Sequence, residues 1–350
     1  MSNPPLARKL ALAMGTSSAA RTLPETTDRK ILELLQLLSA NPMIVVSGTR
    51  MAKHIGVSRH RVRHWVKQLR ALGVDVKGHA RRGYHLQKSA DVLIPAVLRR
   101  RLEGTTFEKH IHHFFKIGST NDVALELGHS EAPNGSVVLA EQQTAGRGRV
   151  GRAWHSEKSN GIYMSVLLRP AITPVEAPLL TLVAGLAARD AVAELSDTAP
   201  DLRWPNDILL NGKKIGGILT EMHAEPDRVL LIVVGIGINV NHETMPADLR
   251  GTATSLRIET GRTHSRTELV VRVLHRLDGY YNQFLRQGAE PILRRFAEVS
   301  SFCEGKRVRV ATAKETFLAT TAGLEPSGVL RVRRENGKTE PVLAGDVREA

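Results

Sequence analysis

The stretch RWPNDILLNGKKIGGILTE, residues 203–221, has the pattern of a β-hairpin. Its Asn211-Gly212 pair is the strongest two-residue turn signal, and the apolar segments DILL and KKIGGIL flank it. Further strand-like segments lie at residues 111–117, 136–141, 162–168, 214–222 and 229–240. They are interspersed with helical segments, notably EAPLLTLVAGLAARDAVAEL. The pattern predicts a mixed α+β domain in the centre of the chain.

Polar side chains stand on both sides of the hairpin turn. They are Trp204, Asn206 and Asp207 ahead of the entering strand and Lys214 on the leaving strand. Alternation along the leaving strand predicts that Lys214 faces away from Ile215. Gly216 and Gly217 are expected to clear space beside the lysine.

A second segment, GRGRVGRAW at residues 146–154, combines glycines with arginines. It lies between two predicted strands. Its glycines permit unusual backbone angles and let main-chain N–H groups approach a ligand. In an extended loop, Arg147 and Arg149 point the same way and present two guanidinium groups to phosphate or carboxylate oxygens. The spacing G-x-x-x-x-G-K-[ST] is absent, which disfavours a kinase or a motor ATPase.

The net charge of +14 is concentrated at the N-terminal end. Residues 1–90 carry 16 Lys and Arg against 4 Asp and Glu, whereas the other 260 residues carry 33 against 31. A small basic unit joined to a near-neutral body indicates a module that binds a polyanion.

Residues 27–88 have the pattern of a winged helix-turn-helix. An amphipathic helix at DRKILELLQLLSA precedes a short helix capped by Ser47, a turn at Gly56 and a third helix capped by Ser58. The third helix has one apolar stripe and one basic face, and VDVKGHARRGYHL predicts a two-stranded wing. The side chains predicted to contact DNA are Arg59, His60, Arg63 and Lys67 on the helix and Arg81 and Arg82 near the wing tip.

The alternative for this basic face is a merely solvated helix surface. A metal site at His60 and His64 is disfavoured, because no acidic or sulfur ligand lies nearby. Cys303 is the single cysteine, which excludes an internal disulfide. The longest apolar run, VLLIVVGIGI, is about half of what a membrane-spanning helix needs. We therefore expect a cytoplasmic protein with no membrane segment.

Residues 1–26 are expected to form a flexible tail. The first 22 residues lack acidic side chains, and their apolar core LALAM is too short for a secretory signal. An organelle transit peptide remains an alternative for this segment.

Two shorter motifs complete the set. GSTNDVA at residues 118–124 and VGIGINVN at residues 234–241 place small and amide-bearing residues at a helix start and a strand end. Taken alone, Ser119 or Thr120 is explained equally well as a helix cap, and GIGIN as close packing. In order along the chain, however, these two motifs, EQQTAGRGRVGRAW and the hairpin resemble the signatures of biotin protein ligases.

With the winged helix in front, the chain is similar to the bifunctional bacterial type, which is both a ligase and a biotin operon repressor. The resemblance runs from Asp28 to the C-terminus, and GRGR and WPND are its specific parts. It implies a winged helix-turn-helix domain at 27–88 and a biotin- and ATP-binding catalytic domain at 91–300. That α/β domain is expected to be similar to the class II aminoacyl-tRNA synthetase/biotin ligase fold. An SH3-like β-barrel is expected at 301–350.

The resemblance implies a reaction in two stages. Biotin and ATP form biotinyl-5'-AMP, and biotin is then transferred to a lysine of the biotin carboxyl carrier protein of acetyl-CoA carboxylase. Cations must offset the repulsion between the carboxylate of biotin and the α-phosphate of ATP. The catalytic residues are then Lys214, Arg149 and Asp207. No metal site built from protein side chains alone is expected, but Mg²⁺ is expected near Asp207, directly or through water.

The resemblance also assigns the binding residues. Those expected to contact biotin or its carboxylate are Ser119, Thr120, Asn121, Gln143, Arg147, Gly148, Arg149 and Lys214. Trp154 is expected to stack near adenine, and Asn206, Asp207 and Asn239 to serve the nucleotide. Ordinary core packing is the alternative role of Trp154 and Trp204.

The repressor half implies operator DNA as a partner and a ligand-dependent homodimer. An intermediate that orders the glycine-rich loop would complete the dimer interface. Two alternatives stay open, a ligand-sensing transcription regulator without chemistry and a lipoate protein ligase. The paired GRGR and WPND motifs argue against the sensor, because sensing alone would not require so many convergent cations. Octanoyl transfer through a cysteine is disfavoured, because Cys303 lies outside every motif.

Overall fold

The computed structural model describes residues 25–40, 44–71, 74–87 and 91–350. Residues 1–24 of the expected N-terminal tail lie outside the described residues. In the part of the chain that is described, no helix combines the length and the apolar character needed to cross a bilayer.

The N-terminal region contains three helices and a β-hairpin. They are α1 (Glu25–Ala40), α2 (Gly48–Ile55), α3 (Arg59–Ala71), β1 (Val76–His79) and β2 (Gly83–Leu86), the two strands pairing antiparallel. The caps are those predicted: Ser47 accepts a hydrogen bond from the backbone N–H of Arg50, and Ser58 accepts one from that of Arg61. Gly56 ends α2 at φ 70°, in the left-handed region that favours glycine.

One apolar core holds this region together. It includes Ile31, Leu34, Leu35 and Leu38 of α1 and Val62, Trp65, Val66 and Leu69 of α3. Val92, Ile94 and Phe115, which follow the hairpin in the chain, belong to the same core. The winged helix is therefore packed against the start of the central region.

The central region is built on a seven-stranded sheet with the order β3-β4-β5-β9-β8-β7-β6. The strands are β3 (Ile111–Phe114), β4 (Ser136–Ala140), β5 (Gly161–Leu168), β6 (Asp201–Arg203), β7 (Asp207–Leu210), β8 (Lys213–Ala224) and β9 (Val229–Asn239). β3 and β4 are parallel, and all other neighbours are antiparallel. The predicted mixed α+β character is confirmed.

Six helices accompany this sheet. They are α4 (Pro95–Arg101), α5 (Thr120–His129), α6 (Leu179–Ser196), α7 (Leu256–Thr260), α8 (Arg266–Gln287) and α9 (Glu290–Val299). α6 and α8 share the main core with the sheet. α5 packs through Ala124 on a separate apolar cluster with Val138, Leu167 and Val233, which leaves its N-terminal end over the middle of the sheet.

The predicted hairpin forms, with one difference in its geometry. Asn211 and Gly212 both have positive φ, 51° and 75°, as a type I′ turn requires. A β-bulge leaves Ile215 without a partner, since Ile208 pairs with Gly216 and Leu209 with Lys214. A Cβ atom added at Gly217 would touch Lys214, whereas one at Gly216 would meet Ile208. The expectation that Gly216 clears space for the lysine is therefore wrong.

The C-terminal region is a five-stranded antiparallel sheet with the order β13-β12-β11-β10-β14. Its strands are β10 (Glu304–Ala311), β11 (Thr316–Leu324), β12 (Leu330–Arg334), β13 (Thr339–Val342) and β14 (Asp346–Glu349). β13 and β14 lie at its two edges and do not close it into a barrel. Trp204 is buried, and its Nε1 donates to the carbonyl of Gly328 at 2.9 Å. Core packing is thus what the structure shows for Trp204.

A buried ion network fixes the segment that follows the winged helix. Oε2 of Glu141 lies 2.7 Å from Nη1 of Arg266, and both side chains are 1% exposed. Arg266 also pairs with Asp91, and Oε1 of Glu141 accepts hydrogen bonds from Leu93 N and His113 Nε2. Burial raises the pKa of Glu141, but Arg266 and His113 outweigh it and lower that pKa to about 2.

Candidate functional site

Three glycines open one face of the central sheet. They are Gly217 on β8 and Gly235 and Gly237 on β9, with Gly217 and Gly237 directly paired. A Cβ atom at Gly235 would collide with Oδ1 of Asn121, and one at Gly237 with the indole of Trp154. Side chains from α5 and from the 146–154 loop therefore lie directly against the strand backbone.

A first polar cluster lies at the N-terminus of α5. Oε1 of Gln143 accepts hydrogen bonds from the backbone N–H of Thr120, at 2.8 Å, and from its hydroxyl, at 3.1 Å. The Ser165 hydroxyl lies 2.6 Å from Oδ1 of Asn121, and Nδ2 of Asn121 donates to Oε2 of Glu221 at 2.6 Å. Three residues predicted to bind biotin thus form one network.

Ser119 occupies the N-cap position of α5, but its side chain makes no capping hydrogen bond. Both Ser119 and Thr120 are buried. Because Ser119 makes no capping bond and the Thr120 hydroxyl donates to Gln143, the helix-cap explanation of these two residues is not supported.

Arg147 joins this first cluster. Its Nη2 donates to Oε2 of Glu221 at 2.9 Å, and Nη1 lies 2.5 Å from Oδ1 of Asp122. Partial burial lowers the pKa of Arg147, but the two carboxylates outweigh it, and the pKa is raised. Glu221 and Ser165 were missed by the sequence analysis. The signal for Ser165 was a small polar side chain in the largely apolar strand GIYMSVLL.

The 146–154 loop is not extended, so the expectation that Arg147 and Arg149 point the same way is wrong. Residues Arg149–Gly151 form a short 3-10 turn, and Val150 has φ 54°. The N–H of Gly148 donates to the carbonyl of Arg152 at 2.7 Å and closes this turn. The turn separates the two guanidinium groups, which have different partners.

Arg149 belongs to a second cluster, at the start of the hairpin. Its Nη1 donates to Oδ1 of Asn206 at 3.1 Å. In the next residue, Oδ1 of Asp207 lies 2.5 Å from Nζ of Lys214, and Oδ2 accepts from Arg203 at 2.6 Å. Burial raises the pKa of Asp207, but Lys214 and Arg203 outweigh it and lower that pKa. Burial also lowers the pKa of Arg149.

The C-terminal sheet closes this second cluster. Nη2 of Arg149 donates to the carbonyl of Gly345 at 3.3 Å, and Arg152 forms an ion pair with Asp346. The charged side chains that line the resulting cavity are Arg149, Arg152, Arg203, Arg348, Asp207 and Asp346. Four arginines against two aspartates give this small cavity, of about 20 Å³, a net positive lining. No motif or pattern in the sequence pointed to Gly345 or Asp346.

Trp154 lies between the two clusters. Its indole covers Gly237 and Gly217, and Nζ of Lys214 lies 5.5 Å from its ring centroid. Nε1 of Trp154 is buried and has no hydrogen-bond partner within the part of the chain that the structure describes. This unpaired donor argues against simple core packing.

Asn239 lies at the end of β9 and is buried. Its Nδ2 donates to the carbonyl of Thr254 at 3.0 Å. The N–H of Thr254 in turn donates to the carbonyl of Lys214. Asn239 is thus linked to the second cluster through the backbone of one shared residue.

Asp207 and a group of two histidines and a glutamate are the candidate metal ligands of this region. Both carboxylate oxygens of Asp207 are already paired with cations, so this side chain does not fit a direct Mg²⁺ ligand. His155, Glu157 and His242 bring three ligand atoms within 4.8 Å of one another, a group that the sequence analysis did not foresee.

Four of the six predicted DNA-contacting residues line one groove. Arg59, His60, Arg63, Lys67, Arg81 and Arg82 are all exposed. A groove between α3 and the wing is lined by His60, Arg63, Lys67 and Arg81, among others. Nη2 of Arg59 donates to the carbonyl of Ala80 at 3.1 Å and holds the wing against the helix.

Three segments of the chain match known family models. Residues 115–239 match the biotin/lipoate A/B protein ligase family, residues 30–85 an HTH domain, and residues 305–348 the biotin protein ligase C terminal domain. Over 307 residues the chain is 36% identical to the bifunctional ligase/repressor BirA of Bacillus subtilis (strain 168), covering 87% of this chain and 94% of that protein. The chain belongs to the biotin protein ligase family.

Two further relatives extend this likeness. This family member is 27% identical to the bifunctional ligase/repressor BirA of Escherichia coli (strain K12), covering 86% of this chain and 92% of that protein. The biotin protein ligase from Aquifex aeolicus, solved in complex with biotin and ATP, matches it with a TM-score of 0.60 at 29% identity. That match covers 69% of this chain and 100% of the Aquifex chain.

Proposed function

We propose that the chain is a biotin protein ligase. It activates biotin with ATP to biotinyl-5'-AMP and transfers biotin to a lysine of a biotin carboxyl carrier protein. The supporting observation is a cationic corner in which Arg149 donates to Asn206 and Lys214 pairs with Asp207. This corner lies beside the sheet face where glycines leave the strand backbone uncovered by side chains of their own. All four residues lie within residues 115–239, the segment that matches the ligase family model.

The electrostatics of this corner suit adenylate formation. The carboxylate of biotin attacks the α-phosphate of ATP, and pyrophosphate leaves. Two anions must approach each other, and Lys214 and Arg149 offset the charge that builds up on the phosphate. Asp207 positions Lys214 through their 2.5 Å ion pair. In the second stage the acceptor lysine attacks the acyl carbon and AMP leaves, so no nucleophile from the ligase is needed.

The two polar clusters divide the substrates between them. We assign the first cluster to biotin, through Ser119, Thr120, Asn121, Gln143, Arg147 and Gly148. Arg149 and Lys214 contact the biotin carboxylate. We assign Trp154, Asn206, Asp207 and Asn239 to the nucleotide, with the indole as a stacking surface for adenine. Once ligand is bound, the 146–154 loop excludes water from the reactive anhydride.

We expect Mg²⁺ to bind together with ATP and not as a direct ligand of Asp207. Both carboxylate oxygens of Asp207 are paired, one with Lys214 and one with Arg203. We therefore derive no step through a protein-bound Mg²⁺. When bound to the phosphates, the ion supplies additional positive charge.

We further propose that the chain represses transcription by binding operator DNA through α3 and the wing. Biotinyl-AMP then acts as corepressor by favouring a homodimer. The exposed basic residues of this surface and the match of residues 30–85 to an HTH domain support the DNA contact. The dimer stays a prediction implied by the resemblance, and the cytoplasmic location stays a prediction made from the single cysteine.

Three finer assignments stay predictions. They are the domain boundaries 1–26, 27–88, 91–300 and 301–350, the class II aminoacyl-tRNA synthetase likeness of the central sheet, and the SH3-like character of the C-terminal sheet. The match of residues 305–348 to a biotin protein ligase C terminal domain supports the last boundary.

A transfer assay tests the proposed function. The full chain is incubated with ATP, an apo carrier protein and labelled biotin or labelled lipoate. We expect label from biotin on one carrier lysine and little from lipoate. Label from lipoate instead would identify a lipoate ligase, and ligand binding without pyrophosphate release would identify a sensor without chemistry.

A further inference from the structure

Two loops beside the proposed ligand site bring two imidazoles and a carboxylate together. His155 and Glu157 follow Trp154 in the chain, and His242 lies just beyond the end of β9. One ligand atom from each of the three lies within 4.8 Å of the others. The group contains none of the residues assigned above to biotin or the nucleotide.

His242 is the most informative member of the group. Its side chain is fully buried, and neither ring nitrogen has a hydrogen-bond partner among the residues that the structure describes. Buried polar atoms in proteins are almost always paired, so a ring in this state indicates a missing partner. Its Nε2 lies 3.9 Å from Oε2 of Glu157. That separation is too long for a hydrogen bond. Two bonds of about 2 Å to a tetrahedral ion would bring the two atoms to about 3.3 Å, a small shift for the exposed side chain of Glu157.

The other two ligands face the same space. Ser156 is buried and accepts a hydrogen bond from Nε2 of Gln143 at 3.0 Å, whereas His155 and Glu157 on either side of it are exposed. In an extended segment successive side chains point to opposite sides, so His155 and Glu157 lie on the same side. The ring centroids of His155 and His242 are 6.0 Å apart.

The backbone around this group is held in place by the protein itself. The hydroxyl of Tyr163 donates to the carbonyl of Glu157 at 2.6 Å, and the N–H of Asn241 donates to the carbonyl of Asn160 at 2.7 Å. The Ser255 hydroxyl donates to the carbonyl of His242 at 2.7 Å. The ligands are therefore positioned before any ion binds.

We propose that His155, Glu157 and His242 form a binding site for a divalent transition-metal ion, with Zn²⁺ matching the ligand set best. Two imidazoles and one carboxylate are a ligand set that Zn²⁺ prefers, and three protein ligands leave a position for water. Mg²⁺ and Ca²⁺ take oxygen ligands and do not match.

The position of the site gives the ion a structural role. His155 directly follows Trp154, and His242 lies three residues after Asn239. A bound ion thus ties the end of the 146–154 loop to the end of β9. It stabilises the folded chain, since it binds a site that exists only when both segments are in place.

The test uses metal alone, without biotin, ATP or DNA. The full chain, lacking any polyhistidine tag and stripped with a chelator, is titrated with Zn²⁺ against a chromophoric competitor. We expect one ion per chain and a raised thermal midpoint. In His155→Ala and Glu157→Gln we expect binding at least about tenfold weaker. Both side chains are exposed, and circular dichroism verifies that the variants fold. Co²⁺ in place of Zn²⁺ should give a ligand-field spectrum that the same variants lose.

His129→Ala is the matched control. The rings of His129 and His223 are exposed and pack edge-on at 5.4 Å, so they form a second histidine pair on the surface. We expect His129→Ala to bind Zn²⁺ like the unmodified chain. Absence of binding, or equal binding by His155→Ala, Glu157→Gln and the unmodified chain, would overturn the metal site. Because no substrate is present, that outcome leaves the ligase proposal untouched.

Discussion

The ammonium of Lys214 lies 2.5 Å from Oδ1 of Asp207, whose other oxygen accepts a hydrogen bond from Arg203 at 2.6 Å. The carboxylate is ionised, because the two cations lower its pKa despite its burial. One anion between two cations leaves a net positive charge in this corner. Arg149, which donates to the neighbouring Asn206, increases that charge. The corner therefore attracts an anionic substrate while Lys214 stays aimed.

Lys214→Ala should slow the formation of biotinyl-AMP by roughly 100-fold, because a cation aimed at the developing phosphate charge is lost. Pyrophosphate release under single-turnover conditions measures this rate. Lys213→Ala is the control, since Lys213 is the exposed neighbour on the same strand and should leave the rate unchanged. Equal rates in both variants would remove Lys214 from the mechanism.

Gly235→Ala should weaken biotin binding by about tenfold or more, because its Cβ would displace the amide of Asn121. Isothermal titration with biotin alone gives the affinity. Gly279→Ala serves as control, since a Cβ there meets no atom within 4 Å. Unchanged biotin affinity in Gly235→Ala would contradict the placement of biotin against this sheet face.

Arg63→Ala and Lys67→Ala should each weaken binding to duplex DNA and reduce the dependence of log K on log salt by about one contact. Both residues line the groove between α3 and the wing. Arg331→Ala, an exposed change on the C-terminal sheet, should have no effect. Salt titrations followed by fluorescence anisotropy supply the slopes. A slope that neither groove variant changes would place the DNA elsewhere.

Glu141→Gln should lower the free energy of unfolding by about 3 kcal/mol at neutral pH, because Arg266 loses its buried partner. The pKa of Glu141 is lowered in the folded chain to about 2, so its stabilisation is complete above the unfolded pKa of about 4.3. That stabilisation disappears as the pH falls towards 2, and the variant and the unmodified chain should then converge.

Urea midpoints across that acid range provide the measurement for Glu141→Gln. Glu126→Gln, at an exposed site, should match the unmodified chain throughout. A constant difference between Glu141→Gln and the unmodified chain at every pH would show that ionisation of Glu141 does not stabilise the fold.

Local signals in the sequence predicted most of the fold. Cap and turn roles depend only on residues close by in the chain. They could therefore be predicted for Ser47, Gly56 and Asn211-Gly212, and they are confirmed. The apolar stripe around Trp65 was equally local and is buried as predicted.

The differences arise where a contact spans a long stretch of chain or the backbone departs from regular geometry. Alternation could not reveal the bulge at Ile215, which places Gly217 beside the lysine in place of Gly216. A positive φ at Val150 is rare for a β-branched residue, so an extended loop was the natural expectation. Only the tertiary fold brings Asp346 to Arg152 and His242 close to Glu157.

Trapping the adenylate on the protein is the sharpest test of the proposed ligase chemistry. The full chain is mixed with biotin and ATP without a carrier protein, quenched in acid and assayed for biotinyl-AMP by mass spectrometry. We expect one biotinyl-AMP per chain and almost none when Arg149 and Lys214 are both changed to Ala. Absence of the adenylate in the unmodified chain, or equal amounts in the double variant, would contradict that chemistry.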